Sequence, residues 1–385
     1  MQSFISIESL RAWMAWWVVV GHALRLSGLD NYTLQGIHLP PLIAKILGSS
    51  GTAVNVFIIV SGFVITHLFI SKQESYSKYI TRRAFRLFPV YLVCLAAAII
   101  TMKFYVLSYV DLGFSAASDD KGARLVEQTE NFWIHLAAHL TMLHGLIPDE
   151  ILPYAGSTIL SPAWSLSLEW QFYLIAPVVV AALMGRPAVA LATAVLLLAT
   201  HAVFTYGGIA SWQYLAFLPL ALNYFLLGIM SRLAISYGAF RKIPAYVLVI
   251  MLMSIAFSGW KEIVIWGVFY AFALSEANWF TIRSRPVIFL SKVLAFNRYT
   301  ARFGKWSYST YLIHLPVFVT MVGGYAMVVG LENVTQAAVL LILAAAFPLV
   351  LLISWLLYSW IEVPFISMGR RVVNRPSLRS SAPAN

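Results

Sequence analysis

The sequence predicts an all-α, polytopic integral membrane protein, a helical bundle of about ten transmembrane helices. Three observations predict this fold class: the composition, the length of the apolar runs and the distribution of the basic residues. Of the 385 residues, 61% are hydrophobic and only 11% are charged, and the mean hydropathy is +0.80. Soluble domains carry about 25% charged residues, so lipid is the expected solvent of this chain.

Apolar runs of about 20 residues, the length that crosses the hydrocarbon core as a helix, occur along most of the chain. The predicted spans cover residues 10–27, 52–71, 87–107, 165–184, 188–206, 213–232, 244–259, 263–279, 307–329 and 336–360. A further apolar segment, 132–147, is shorter and contains His135, His139 and His144. It is therefore predicted to be a re-entrant or interfacial segment and not a full span.

Basic residues fall unevenly between the two ends of the predicted spans. Of the 26 lysines and arginines, 20 lie on the side where the chain begins and ends. The other six lie on the opposite side or at its helix ends: Arg25, Lys45, Lys103, Lys121, Arg124 and Lys261. By the positive-inside rule both termini are predicted to be cytoplasmic. Topology thus explains the net charge of +11, with anionic membrane lipids, and not nucleic acid, as the expected partners.

A single membrane domain is expected over residues 1–366, since no internal repeat or second domain is visible. A disordered cytoplasmic tail is expected over 367–385, because the chain ends in the polar run RPSLRSSAPAN. Cys94, the only cysteine, lies within a predicted span, which excludes a disulfide framework and a thiolate metal site. No cleaved signal peptide is expected, since the N-terminus lacks a basic region and a small-residue cleavage site.

The first predicted helix is apolar but carries Glu8, Arg11 and His22. Arg11 and His22 are close to three helical turns apart, so they share a face about 16 Å apart along the axis, and Glu8 lies one turn before Arg11. Each ionisable group inside a bilayer costs about 2.5 to 3.5 kcal/mol on insertion scales. Arg11 could snorkel to lipid phosphate. His22 titrates near neutrality, which makes it a candidate for proton transfer.

Arginines cluster in the stretch RRAFRLFP at 82–89. Arg83 and Arg86 are three residues apart, so their guanidinium groups converge on one face of a helix. Convergent arginines at a membrane interface can grip phosphates with paired hydrogen bonds. The alternative is a positive-inside stop signal that binds no ligand.

A third polar face occurs where the stretch LSPAWSLSLEWQFYLIAPVV opens a span. Ser165, Glu169 and Tyr173 are spaced by four and share this face. Glu169 has no Lys or Arg nearby in the sequence. An intramembrane carboxylate usually faces a cavity or a partner, which favours a functional role.

A fourth polar face lies on the span that begins near residue 307. Ser307, Tyr311 and His314 fall at steps of four and three, which fits either catalysis or interhelical hydrogen bonds. His135 and His139 also have helical spacing, but the sequence places no third ligand with them, so no metal is expected.

Taken together, these stretches resemble the bacterial membrane-bound acyltransferase family 3, the O-acetyltransferases of surface glycans. The resemblance rests on SIESLRAWMAWWVVVGH at 6–22, RRAFRLFPVY at 82–91, PAWSLSLEWQFYLIAP at 162–177 and SYSTYLIHLPV at 307–317. These stretches occur in the family's order and span most of the chain.

The family pattern has an Arg and a His separated by ten residues on the first helix, matched by Arg11 and His22, and an Arg-x-x-Arg pair, matched by Arg83 and Arg86. Its Ser-Leu-Ser-x-Glu segment maps onto Ser165, Leu166, Ser167 and Glu169. Trp170 departs from the pattern, because many members have a second acidic residue there.

The resemblance implies a multi-pass enzyme of the bacterial inner membrane that uses acetyl-CoA as a donor substrate, with no permanently bound cofactor. The implied acceptor is a hydroxyl of a surface glycan or a lipid-linked sugar. Arg11, Arg83 and Arg86 are expected to bind the acyl-CoA. His22 is expected to act as general base or to carry the acetyl group covalently, with Glu8 or Glu169 orienting it or binding sugar. Further candidate substrate-binding residues are Ser165, Ser167, Tyr173, Ser307, Tyr311 and His314.

A competing interpretation is a transporter or flippase of a glycan or lipid intermediate, because buried Arg, Glu and His residues also suit a translocation path. The sequence shows no inverted-repeat halves, and its phosphate-binding arginines lie on one side only. A purely structural membrane scaffold would not need the aligned polar faces.

Overall fold

The computed structural model describes residues 4–374, which form helices and turns and contain no β-strand. The α-helices are α1 (Ile5–Ser27), α2 (Pro41–Gly48), α3 (Ser50–Ser71), α4 (Tyr76–Ile100), α5 (Met102–Tyr105), α6 (Ser118–Glu130), α7 (Phe132–Leu140), α8 (Trp164–Leu183), α9 (Pro187–Tyr206), α10 (Leu222–Ser236), α11 (Ala245–Ala256), α12 (Trp260–Glu276), α13 (Arg285–Leu294), α14 (Arg298–Val329), α15 (Gln336–Leu357) and α16 (Val363–Asn374). Two π-helical turns, Val106–Asp111 and Tyr358–Glu362, follow α5 and α15. The predicted all-α fold class is confirmed.

Each predicted span is largely helical in the structure, although residues 213–217 of the predicted span 213–232 form a turn before the helix begins at Leu218. Within residues 4–374, seven segments are long and apolar enough to cross a membrane: Pro41–Ser71, Tyr76–Ile100, Ser161–Leu183, Pro187–Tyr206, Leu218–Ser236, Arg285–Val329 and Gln336–Asn374. The remaining three predicted spans are α1, which carries charges, and α11 and α12, which have 12 and 17 residues. The protein is therefore a polytopic helical membrane protein.

Helices α1 and α14 run side by side in the same direction through the bundle. Glu8 lies against Gly304 near the start of both helices, and His22 lies against His314 further along. We call the end of the bundle where α1 begins the first end and the opposite one the second end. The outer helices α9 and α15 instead expose apolar side chains such as Leu196 and Leu341, as expected for lipid-facing helices.

Helices α3 and α10 pack closely because glycine lies at their crossing. A methyl group at Gly62 would collide with the carbonyl of Phe225, and one at Gly228 would collide with the carbonyl of Ile59. Small residues at membrane helix crossings allow such backbone approach. This packing places the inner face of α3 beside α8 and α14, where the site lies.

The segment predicted as re-entrant or interfacial forms α7, which has nine residues and is about 13 Å long, too short to cross a membrane. Its His135 and His139 are buried, whereas Trp133 and Ile134 are exposed. Burial lowers the pKa of both histidines, whereas the Glu127 carboxylate, 3.7 Å from His135 Nε2, opposes that effect at His135.

The tail predicted to be disordered from residue 367 is helical in its first part. Residues 367–374 belong to α16, which packs on α4 with Gly369 against Phe85. An apolar contact of this kind stabilises the end of the chain against the bundle. Residues 375–385 of the predicted tail lie outside the described residues.

Candidate active site

A cavity lies between α1, α3, α4, α8, α10 and α14, and its empty space, with the solvent at its mouth included, is about 730 Å³. Its walls are apolar where α3 and α10 contribute Val54, Phe57 and Phe225. Eight residues singled out in the sequence line it: Arg11, Arg83, Arg86, Ser165, Glu169, Tyr173, Ser307 and Tyr311. The tertiary structure therefore brings polar residues of four separate helices to one cavity.

Arg83 presents its guanidinium group to the cavity without a carboxylate partner. Its central carbon lies 5.9 Å from the ring centroid of Tyr79 and 5.6 Å from that of Tyr173. Its buried Nε atom has no hydrogen-bond partner, and no ion pair within 4.0 Å involves it among residues 4–374. A guanidinium group stacked on aromatic rings keeps its hydrogen-bond donors for a ligand.

Arg11 and Arg86 are, in contrast, surrounded by carboxylates. Arg11 Nη1 lies 3.7 Å from Glu8 Oε2. The charges of Glu362, Glu169 and Glu8 act on Arg86. These two arginines are partly neutralised by the protein, so Arg83 is the cavity arginine with the most capacity for an added anion.

Glu169 is held by two hydroxyl groups. Ser61 Oγ donates to Glu169 Oε1 at 3.2 Å, and Tyr173 Oη donates to the same oxygen. The carboxylate thus points into the cavity from α8 while α3 and the next turn of α8 fix its orientation. Its second oxygen is left for a ligand or a proton.

On the wall formed by α8 and α14, Ser165 donates to Tyr311 Oη at 2.9 Å, and Tyr311 donates to the carbonyl of Pro162 at 2.8 Å. This chain ties α8 to α14. Ser307 Oγ lines the same wall and has no hydrogen-bond partner, so its hydroxyl is available to a bound molecule.

Just beyond the cavity, His22 on α1 faces His314 on α14, with ring centroids 5.1 Å apart. His314 Nδ1 lies 3.2 Å from the carbonyl of Thr310. A carbonyl only accepts, so Nδ1 carries the proton, and Nε2 of the neutral ring is an unprotonated acceptor. That Nε2 has no partner among the described residues. The ring of Tyr311, 6.3 Å from that of His314, connects the pair to the cavity.

Two of the predicted site residues lie elsewhere. Glu8 is 14 residues before His22 on the same helix, about 21 Å along the axis, so its carboxylate cannot orient His22 and is near Arg11 instead. Ser167 is fully buried and accepts from the backbone N–H of Gly145 at 3.0 Å. Gln171 also donates to Ser167, at 3.3 Å, which gives this serine a packing role between α8 and a neighbouring turn.

The cavity also contains residues that the sequence patterns did not single out for function. Ser61 on α3 orients Glu169. Tyr308 lines the cavity and donates to the carbonyl of Leu87 at 2.6 Å. Glu362, in the second π-helical turn, does not line the cavity, but its charge acts on the cavity residue Arg86, and it accepts from Ser309 at 3.2 Å. Ser61 is the one polar lining residue that α3 contributes, so helical spacing gave no signal for it, whereas Tyr308 lies three residues before Tyr311 and that spacing could have found it.

Residues 4–374 contain no group of three His, Cys, Asp or Glu side chains that suits a metal ion. The closest histidines outside the cavity are His139 and His144, whose rings stack at 3.8 Å. The cavity itself presents arginines, a carboxylate and hydroxyls, and the imidazoles of His22 and His314 lie beside it.

Comparison with protein families gives one match, a model described as an acyltransferase domain, which covers residues 4–359. The matched region includes every lining residue of the cavity as well as His22 and His314. Comparisons with curated proteins and with solved structures give no match.

Proposed function

This chain belongs to the acyltransferase-3 family, and we propose that it is an O-acyltransferase which moves an acetyl group from cytoplasmic acyl-CoA to a hydroxyl of a cell-surface or lipid-linked glycan. The coarser function, a membrane acyltransferase, follows from the family match and the apolar helices. The observation that carries the finer proposal is the convergence of three arginines in one cavity that leads to a histidine pair.

Donor binding is proposed at the first end of the cavity. CoA carries phosphates, which accept charge-assisted and often bidentate hydrogen bonds from arginine. Arg83 has unused donors there, and Arg86 lies one turn further along α4. Arg11 on α1 would hold the donor as its thioester extends toward His22, about 16 Å along the helix.

Acyl transfer is proposed to use the imidazole of His22. In direct transfer, the imidazole takes the proton of the acceptor hydroxyl, the hydroxyl oxygen attacks the thioester carbonyl, the C–S bond breaks, and CoA leaves as a thiol after taking up a proton. His314, with its free Nε2, is placed to share or relay that proton. Glu169 and Ser307 would bind polar parts of the substrates within the cavity.

A covalent route would use the same residues in two steps. The His22 imidazole would attack the thioester and release CoA, and the acceptor hydroxyl would then take the acetyl group from the acetyl-imidazole. Incubation with labelled acetyl-CoA and no acceptor separates the routes, because only the covalent one leaves label on His22.

The proposal is tested by acetyl-CoA binding to the purified protein in nanodiscs, measured by calorimetry. The wild type is compared with the double variant Arg83→Ala, Arg86→Ala and with Lys78→Ala as a matched control. Lys78 lies on the same helix and at the same end but is exposed and does not line the cavity.

We expect binding by the wild type and by Lys78→Ala, and loss of binding in the double variant. Equal binding by all three proteins would refute the donor role of Arg83 and Arg86. Absence of binding to folded wild type would contradict the use of acetyl-CoA and favour transport of a glycan or lipid intermediate.

A further inference from the structure

Three basic residues lie on the second-end side of His22. They are Arg25 on α1 and Lys121 and Arg124 on α6. The charges of all three act on the His22 imidazole, and those of Arg25 and Arg124 act on Lys121. Arg124 is only 6% exposed, and the other two are half-buried. We call these three residues the second-end cluster.

No carboxylate pairs with the second-end cluster. Across residues 4–374 the ion pairs within 4.0 Å involve other residues. The cluster residues donate instead to neutral oxygens: Arg25 to the carbonyl of Gly48 at 3.0 Å, Lys121 to the hydroxyl of Ser115 at 2.8 Å, and Arg124 to the hydroxyl of Tyr105. The acids whose charges act on Lys121 are Asp120, which is exposed, and Asp30, whose buried Oδ1 has no hydrogen-bond partner, and neither forms an ion pair with Lys121 within 4.0 Å.

Buried like charges without counter-ions are unfavourable, because the protein interior neither solvates nor neutralises them. The aromatic rings of Tyr109 and Tyr105 compensate in part: Lys121 Nζ lies 4.2 Å from the centroid of Tyr109, and the Arg124 guanidinium 5.1 Å from that of Tyr105. The face of an aromatic ring attracts a cation, but it accepts hydrogen bonds from the N–H donors less strongly than an anion does. The cluster therefore has the composition of an anion site.

A second cavity, whose empty space with the solvent at its mouth included is about 360 Å³, adjoins this cluster at Arg124. Arg124, Tyr105 and Gln128 form its polar wall, and Leu315 and Pro316 of α14 form part of its apolar wall. Leu315 directly follows His314, whereas the first cavity is lined by α14 residues that precede His314. The two cavities thus lie on either side of the histidine pair along α14.

We propose that the second-end cluster and the second cavity bind a negatively charged group of the acceptor and hold its hydroxyl beside His22. The inference rests on the proposed function and names the class of acceptor: a glycan that carries an anion close to the acylated hydroxyl. That anion has two sources with the same chemistry, the diphosphate of a lipid-linked sugar or the carboxylate of an acidic sugar. Both accept charge-assisted hydrogen bonds from Arg and Lys.

Calorimetry on the full-length protein in nanodiscs of neutral phosphatidylcholine tests this proposal. The probes are a neutral disaccharide, the same disaccharide bearing a uronic acid, and the same disaccharide on a short isoprenyl diphosphate. The proteins are the wild type, the double variant Lys121→Gln, Arg124→Gln, and the control Lys103→Gln, whose lysine is exposed outside the cluster.

We expect the wild type and Lys103→Gln to bind at least one anionic probe about tenfold or more tightly than the neutral probe, and the double variant to lose that preference. The probe that binds tighter identifies the source of the anion. If the wild type binds all three probes equally, or if the double variant keeps the preference, the proposal is wrong.

Two further measurements keep the result interpretable. The variant Arg124→Lys retains the positive charge and should retain the anion preference. If this variant loses the preference while the protein remains monodisperse, the electrostatic argument is contradicted. Acetyl-CoA is titrated in parallel. Donor binding without an anion preference overturns only the acceptor proposal, whereas an anion preference without donor binding overturns the proposed transferase and leaves the anion site standing.

Discussion

At the residue scale, the surroundings of each ionisable group decide what it can do. Arg83 stacks on two tyrosines and keeps free donors, whereas Arg11 lies beside Glu8. His314 is held in one tautomer by the carbonyl of Thr310, so its Nε2 is a proton acceptor, and its ring lies 5.1 Å from that of His22. Identical residue types therefore have different chemical capacities in this protein.

Removal of the His22 imidazole is expected to lower acetyl transfer by a factor of about 10² to 10⁴, the usual contribution of a general base. In His22→Ala, acetyl-CoA binding should persist, because the cavity arginines remain. The control is His38→Gln, since His38 lies in the loop after α1 and does not contact the cavity. Turnover and binding are measured on the same preparations. A fully active His22→Ala protein would exclude both the direct and the covalent routes.

The anion preference of the second-end cluster is expected to weaken as the pH rises from about 6 to 8. Burial lowers the pKa of Lys121 to about 7, with further repulsion from Arg124 and Arg25 and weaker opposing effects of Asp120 and Asp30. Lys121 is therefore charged below this pH and increasingly neutral above it, and the attraction for an anion falls by about tenfold.

The matched variant for this pH effect is Lys121→Arg, which stays charged throughout this range. Binding of the uronic-acid probe, whose carboxylate is ionised at each pH used, should vary with pH in the wild type and be constant in Lys121→Arg. Equal pH dependence in both proteins would show that another group, such as His22, governs the effect.

At the scale of the elements, close helix crossings position the site. Gly62 and Gly228 allow α3 to approach α10, and α3 in turn supplies Ser61 to Glu169. The parallel pair α1 and α14 places His22 against His314. The site therefore depends on where whole helices cross, and not on a local loop.

Substitution of Gly228 by Ala is expected to destabilise the protein by about 1 to 3 kcal/mol, because the added methyl group meets the backbone of Ile59, which cannot rotate away. The control is Gly267→Ala on α12, where no atom lies within 4 Å of the added methyl group. That change should be neutral or slightly stabilising, since Ala favours helix by about 1 kcal/mol over Gly.

Thermal unfolding in detergent, followed by gel filtration, measures both glycine variants. A Gly228→Ala protein as stable as the wild type would show that α3 and α10 can move apart at little cost. Acyl transfer by such a protein would then test whether their separation matters to the site.

At the scale of the whole molecule, two cavities approach the histidine pair from opposite ends of the bundle. The first is rich in arginine and faces the first end, and the second adjoins the second-end cluster. With the proposed topology, a cytoplasmic donor and an acceptor on the other side of the membrane could meet at His22 without either substrate crossing the bundle.

That topology predicts that two single-cysteine variants differ in their reaction with a membrane-impermeant maleimide in intact bacterial cells. Thr129→Cys on α6 should react with a membrane-impermeant maleimide, and Lys78→Cys on α4 should react only after the cells are permeabilised. Both positions are exposed, and the native Cys94 is fully buried, so background labelling should be low. Reversed labelling would place Arg83 away from cytoplasmic acyl-CoA and contradict the proposed donor path.

The sequence by itself determined the solvent, the fold class and the helices that carry the polar faces. Hydropathy and helical spacing are local properties. They therefore identified three groups of cavity residues: Arg83 with Arg86 on α4, Ser165 with Glu169 on α8, and Ser307 with Tyr311 on α14.

 Helical periodicity could group these residues because each group lies on a single helix.

Only the tertiary structure decided which of these faces meet. It joined Arg11, Arg83 and Glu169 in one cavity, excluded Glu8 from the surroundings of His22, and placed His314 there instead. It also gathered the second-end cluster from two helices whose basic residues the sequence left as exceptions to the charge bias. The physical reason is that contacts between helices depend on crossing positions and backbone approach, which arise from packing across the whole bundle and have no local pattern in the chain.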